Sequence, residues 1–172
     1  VRGDRTRNEV GTLSNDDRPV YEQRGLWYEE LEIGALYRHS PGRTVSEADN
    51  ILFSALTMNP QALHLDGAWA AQQPFGQRLV NSLFTLSTLV GLSVAQLTQG
   101  TIVANLGFSD VTFPKPVFHG DTLYAETVVL EKRLSASRPG AGIVTFEHTA
   151  RNQDDEIVAV AKRSTMVLTR PA

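Results

Sequence analysis

The chain has 172 residues, 41% of them apolar and 20% charged, with a formal net charge of −3. That length suits one domain with a core of its own, and the mild acidity excludes the basic stripe that a nucleic-acid surface calls for. The absence of cysteine excludes a disulfide framework, a thiolate nucleophile and a cysteine-type zinc site, and it fits a cytoplasmic protein.

Residues 1–25 carry five arginines and five acids among few apolar side chains. They are expected to form a polar N-terminal tail draped on the surface. No apolar run follows Val1-Arg2-Gly3-Asp4, so no secretory signal is expected. A single packed domain is expected over 26–172, beginning at Leu26-Trp27-Tyr28. Residues 35–45 read as extended, with a break at Ser40-Pro41-Gly42. Thr44 with Glu47, and Ser46 with Asp49, both have capping-box spacing. Ala48, Ile51, Leu52, Ala55 and Leu56 then recur at helical spacing, which predicts a helix that buries this apolar face. It must stop before Pro60, because the residue preceding a proline disfavours α geometry.

The segment Asn59-Pro60-Gln61-Ala62-Leu63-His64-Leu65-Asp66 places a carboxamide, an imidazole and a carboxylate within eight residues. In a loop between two apolar helices, such groups can position a water molecule and move its proton. The same residues also have plainer uses. Asn59 can end a helix in a turn, His64 can be a half-buried histidine bonded to backbone, and Asp66 can cap a short helix through Ala68 to Ala71. Both sets of roles stay open at this point.

After Pro74-Phe75-Gly76, a long helix is predicted from Arg78 or Leu79 to about Gln99, ended by Gly100. Its apolar residues wrap nearly the whole circumference, which predicts burial on all sides. Asn81, Ser82, Thr85 and Ser87 interrupt it, so it reads as a core helix and not as a membrane span. Asn81 and Ser82, near its start, read by default as caps. Four strands follow, over 102–113, 122–134, 143–152 and 156–168, divided by turn signals such as His119-Gly120-Asp121. His39 and His148 fall at sheet or surface positions, and Lys115 lies between two prolines at an edge or bulge. No pair of histidines has metal-ligand spacing, so no metal site is expected. There is no glycine-rich phosphate loop and no nucleophile elbow. Four strands after one buried helix predict an α+β fold, a curved antiparallel sheet wrapped round that helix.

Four segments, taken in order, resemble one known family: Gly42 to Asp49, Asn59 to Asp66, Phe75 to Ser82, and Phe113 to Leu123. The pattern is similar to the MaoC-like dehydratases, (R)-specific enoyl-CoA hydratases of hot-dog fold, and within them to a mesaconyl/itaconyl-CoA hydratase-like subgroup. The resemblance covers residues 27–168. It implies a catalytic pair five residues apart, Asn59 and His64, with Asp66 in support. It implies that a backbone N–H at Ser82, preceded by Asn81, holds the thioester carbonyl. Lys115, Arg78 and Arg138 become candidate partners for the CoA phosphates, as does Arg133. The implied substrate is an acyl-CoA and the implied reaction is reversible hydration of its double bond. No cofactor is implied, and neither is a nucleic-acid or membrane partner. Two copies are expected to pair as a homodimer or a higher homo-oligomer.

Two positions depart from the family pattern. Asn59 stands where many of these hydratases have Asp, and Asn81-Ser82 stands where the family commonly has His-Gly. Asn can orient a water but cannot accept its proton, so acid–base work would fall on His64. Both departures point toward short branched or dicarboxylic acyl groups. Two rival readings accompany this one: a hot-dog thioesterase using Asp66, and a non-catalytic acyl-CoA binding or regulatory subunit, suggested by the missing Asp.

Overall fold

The computed structural model describes residues 19–171. Of the tail expected over 1–25, residues 1–18 lie outside the described residues. The Gly25 N–H donates to the Gln99 carbonyl at 2.7 Å. A β-carbon on Gly25 would come within 2.5 Å of the Thr98 nitrogen, so glycine is what lets these two backbones approach. A 3₁₀ turn over Tyr28–Glu30 follows, then two short strands, β1 (Leu36–Arg38) and β2 (Arg43–Thr44).

Helix α1 (Glu47–Leu56) uses the second of the two capping boxes. The Asp49 N–H donates to Ser46 Oγ at 3.2 Å, and the Ser46 N–H donates to the Asp49 carboxylate at 2.9 Å. Two donors of the first turn are satisfied this way. Two single-turn helices come next, α2 (Ala62–Leu65) and α3 (Gly67–Ala70). The chain then runs extended through Leu79, which bridges Phe118, and Val80, whose N–H donates to the Val117 carbonyl at 2.9 Å. This short pairing delays the long helix. Instead of starting at Arg78 or Leu79, α4 spans Ser82–Leu97, with Asn81 as its cap. Gly100 adopts a φ of +72° just past its end, as a helix-terminating glycine does.

Strands β3 (Ile102–Thr112), β4 (Thr122–Leu134), β5 (Ala141–Arg151) and β6 (Ile157–Leu168) complete the fold close to their predicted bounds. They form an antiparallel sheet in the order β1-β4-β5-β6-β3, with β2 on β4. Helix α4 turns Thr85, Leu89, Ser93 and Leu97 inward, one residue per turn along a single stripe. A curved antiparallel sheet around one long helix is the α+β hot-dog fold. The apolar circumference of α4 predicts burial all round, but a sheet covers only the stripe facing it. Leu83, on another face, is 58% exposed. Edge strand β3 is also open over most of its length, with Leu106 and Phe108 exposed. No helix among the described residues is long and apolar enough to cross a membrane.

The core is divided. One apolar cluster gathers Val80, Leu89, Leu123, Ala125 and Ala150, and a second gathers Leu31, Leu97, Val129, Val144 and Phe146. Between them along the strands runs a buried polar layer of Thr127 on β4, His148 on β5 and Arg163 on β6. His39 and His148 are both interior, because Thr127 gives each of them a partner. Thr127 Oγ1 lies 2.8 Å from His39 Nε2 and 2.7 Å from His148 Nδ1, and Gln96 Oε1 closes the row 2.7 Å from His39 Nδ1. Burial pushes the His148 pKa down to about 3, with the Arg163 charge and then His39 adding to the effect.

His148 is therefore neutral in the folded protein but protonates in the unfolded chain below about pH 6.5. Its contribution to stability is full above that pH and is lost as the pH falls, by at most about 1.4 kcal/mol per pH unit. His39, also lowered by burial, acts in the same direction. Urea unfolding between about pH 7 and pH 5 should show a smaller pH slope for His148→Gln than for the unsubstituted chain. Equal slopes would mean that His148 is charged inside the fold.

Candidate active site

His64 lies on α2, half-buried, with Nδ1 3.0 Å from the Leu79 carbonyl oxygen. A carbonyl only accepts, so Nδ1 carries a hydrogen, and in the neutral ring it is Nε2 that keeps the free lone pair. The ring is thus a base whose tautomer is set by backbone. Asp66, expected in support of His64, does other work. Its carboxylate accepts the Trp69 N–H at 2.9 Å and caps α3. That helix begins at the next residue, and its first-turn N–H groups need an acceptor.

The Asn59 N–H donates to the Ser54 carbonyl at 2.9 Å as the chain leaves α1. Its side-chain Oδ1 accepts the Gln61 N–H at 3.1 Å. Only an oxygen can take that bond, which settles the orientation of the amide. The carbonyl expected to orient a water is therefore shared with a turn. The Asn59 NH₂ has no partner among the described residues, and it is the group left for a ligand.

Asn81 caps α4 by accepting the Leu83 N–H on its Oδ1 at 3.0 Å. The Ser82 N–H, first in the helix, has no acceptor among the described residues. Ser82 borders a cavity of about 310 Å³ together with Leu79, Thr85, Phe113, Lys115 and Val117. An open N–H at the start of a sixteen-residue helix, with the helix dipole behind it, suits a carbonyl that gains negative charge.

The inner face of α1 differs from its predicted one. Ala48, Ile51, Leu52, Ala55 and Leu56 all point outward, with Leu52 60% exposed, while Asn50 and Ser54 are fully buried. Asn50 Oδ1 accepts the Asn81 N–H at 2.8 Å. Asn50 Nδ2 lies 3.0 Å from the Leu79 oxygen, 3.2 Å from the His64 carbonyl oxygen and 3.0 Å from His119 Nε2. These backbone groups are buried beside α1, and leucine or isoleucine could not satisfy them. His119, read as a turn residue, therefore belongs to the site. Burial and then the Arg78 charge hold it below the ordinary histidine value, against Glu47. Neutral His119 can offer Nε2 as an acceptor. Neither Asn50 nor His119 stands out by periodicity. The one hint was an asparagine in the middle of a helix, where it is a poor helix former.

The candidate phosphate-binding cations are dispersed. Arg78 is paired with Glu47, and Lys115 lies 3.4 Å from Glu156. Arg138 sits in the hairpin after β4, and Arg133 near the end of that strand. That end is separated from Thr122, beside the site, by a strand of 13 residues, about 40 Å long. Within one chain, neither arginine is brought to His64.

The MaoC like domain matches residues 29–152. A mesaconyl-CoA hydratase of Haloarcula marismortui is 28% identical over 154 residues, which is 90% of this chain and 43% of that protein. The (R)-specific enoyl-CoA hydratase of Aeromonas caviae is 36% identical over 106 residues, 61% of this chain and 75% of that protein. Among solved structures, a MaoC domain protein dehydratase from Chloroflexus aurantiacus aligns with a TM-score of 0.82 at 26% identity, covering 89% of this chain and 43% of that one. The chain thus spans less than half the length of the first curated relatives it matches. The family match takes in α1, the Asn59–His64 segment, α4 and the strands through β5, and on that ground the chain belongs to the MaoC-like domain family.

Proposed function

We propose that this chain adds water reversibly across the α,β double bond of an acyl-CoA thioester. The observation that carries the reading is His64 held with Nε2 bare, by the same extended stretch that leads into the open Ser82 N–H. His64 takes a proton from water as the water oxygen bonds to the β-carbon. The π electrons move to the thioester oxygen, where the Ser82 N–H stabilises the enolate. The imidazolium then returns its proton to the α-carbon, so both parts of the water are added and no cofactor is consumed. The Asn59 NH₂ donates to the water oxygen and holds it in place. Addition on one face gives the (R)-3-hydroxyacyl product, the specificity in the name of the Aeromonas relative.

Within this reading the acyl group is short and dicarboxylic, of mesaconyl or itaconyl type. The name of the Haloarcula relative supports this, as does Lys115, the one charged residue on the wall of the cavity beside Ser82. A thioesterase would need a carboxylate to activate water, and Asp66 is occupied in capping α3. A purely binding role leaves the oriented lone pair of His64 unexplained. The open face of α4 and the bare edge of β3 suit pairing with a second copy of this chain.

Loss of the enoyl-thioester absorbance band should follow mixing with mesaconyl-CoA, itaconyl-CoA or crotonyl-CoA. His64→Ala should slow it by about a thousandfold or more. Asn59→Asp keeps the turn to Gln61 and should retain activity, whereas Asn59→Ala should lose about tenfold or more. No decay with any ester would overturn the hydratase reading, and faster turnover of crotonyl-CoA or longer homologues would remove the dicarboxylic substrate.

Lys115→Ala should raise KM for mesaconyl-CoA about tenfold more than for crotonyl-CoA, because one charge-assisted contact to the acyl carboxylate is lost. Equal increases would place Lys115 at the CoA phosphates instead. For assembly, sedimentation of the chain should give twice its mass, and Phe108→Lys should return it to monomer. A monomer at all concentrations would overturn pairing through β3.

A further inference from the structure

We infer that Asn50 is a positioning residue that aligns the proposed base with the proposed oxyanion donor; this rests on the hydratase reading of the same site. Its amide is fully buried on the inner face of α1 and meets three separate segments of chain, the α2 turn at His64, the extended stretch Leu79 to Asn81, and the turn at His119. Which end is oxygen follows from its partners. The Asn81 N–H can only donate, so it takes Oδ1, and the Leu79 and His64 carbonyls can only accept, so they take Nδ2.

The Leu79 oxygen is the shared point. It accepts from His64 Nδ1 and from Asn50 Nδ2, each at 3.0 Å, and so uses both of its lone pairs. Asn50 therefore fixes the direction of the carbonyl that sets the His64 tautomer. Through Oδ1 it also grips the backbone nitrogen of Asn81, the residue immediately before the Ser82 N–H and the cap of α4. The remaining contact, to His119 Nε2 at 3.0 Å, shares the two Nδ2 hydrogens with the carbonyls and brings the turn that precedes β4 against the same amide. One planar amide thus relates the base to the oxyanion donor through fixed hydrogen-bond directions. A displacement of about 1 Å in such an arrangement is enough to cost about a hundredfold in rate.

Nitrogen-15 NMR of the histidines in the unsubstituted chain should show neutral His64 with Nδ1 protonated and Nε2 bare. Asn50→Ala should turn that single tautomer into a mixture. It should also lower kcat by about a hundredfold on whichever enoyl-CoA ester the chain hydrates, with KM within about threefold. Asn50→Asp keeps the acceptor for Asn81 but sets a carboxylate against two carbonyls. It should lose the tautomer as well, and it carries the test if Asn50→Ala does not fold. Neutral His64 with hydrogen on Nε2 in the unsubstituted chain would overturn the proposal, as would a folded Asn50 variant that keeps both tautomer and kcat. A chain that hydrates nothing, yet whose His64 tautomer responds to Asn50, would sink the hydratase reading and leave the positioning role standing.

Discussion

The candidate site depends on a few residues refusing to be helical. Leu79 and Val80 pair with Phe118 and Val117 in extended form, and α4 waits until Ser82. Had the helix begun at Arg78, as its apolar spacing allows, the Leu83 N–H would have taken the Leu79 carbonyl and the Ser82 N–H would have taken the Arg78 carbonyl. His64 would have had no oxygen to fix its tautomer, and the Ser82 N–H beside the cavity would not have been open. A short edge pairing therefore creates both the orienting acceptor and the free N–H. Everything proposed for the chemistry stands on that interruption.

Helix α1 follows from the same constraint. The backbone groups freed by the interruption are buried, and a buried polar group without a partner costs about 1–3 kcal/mol. Asn50 answers two of them, the Leu79 carbonyl and the Asn81 N–H, with one side chain, and reaches the His64 carbonyl of α2 as well, so α1 turns Asn50 inward and leaves Ile51, Leu52 and Leu56 in the open. Hydrophobic periodicity identifies a helix correctly here and assigns its inner face wrongly. The exposed apolar residues of α1 then join Leu83 of α4 and the bare strand β3 as surface that one chain does not cover. The mesaconyl-CoA hydratases matched here are more than twice as long as the aligned segment.

The core also carries a buried polar layer, in which His148 Nε2 and Arg163 Nη1 have no hydrogen-bond partner among the described residues. Thr127, His148 and Arg163 cross the sheet between two apolar clusters, and Thr127 serves both His39 and His148. Thr127 gives His39 and His148 a shared partner, while the Arg163 guanidinium keeps its charge and donates from Nε to Asn105 at 3.2 Å. The layer also makes register costly to change, because a one-residue slip would place His148 outside and break its bond to Thr127.

Much of this molecule was legible in the chain itself. Strand positions, the capping box at Ser46, the end of α4 at Gly100 and the α+β class follow from local rules, because alternation, capping and glycine geometry act over a few residues. The family was legible from the order of four short segments, and the spacing of Asn59 and His64 is plain in the chain itself. What local rules did not contain were the distant partners. The Asp66 cap on α3 and the Asn59 turn are local and were among the roles the sequence left open, but that His119 and Asn50 enter the site and that Arg138 lies far from it are consequences of which segments meet in space. The sequence by itself determined the elements and the chemical groups available. Only the tertiary structure decided which carbonyl orients His64 and which N–H is left open, because a hydrogen bond is settled by the nearest complementary group and not by the nearest residue in the chain.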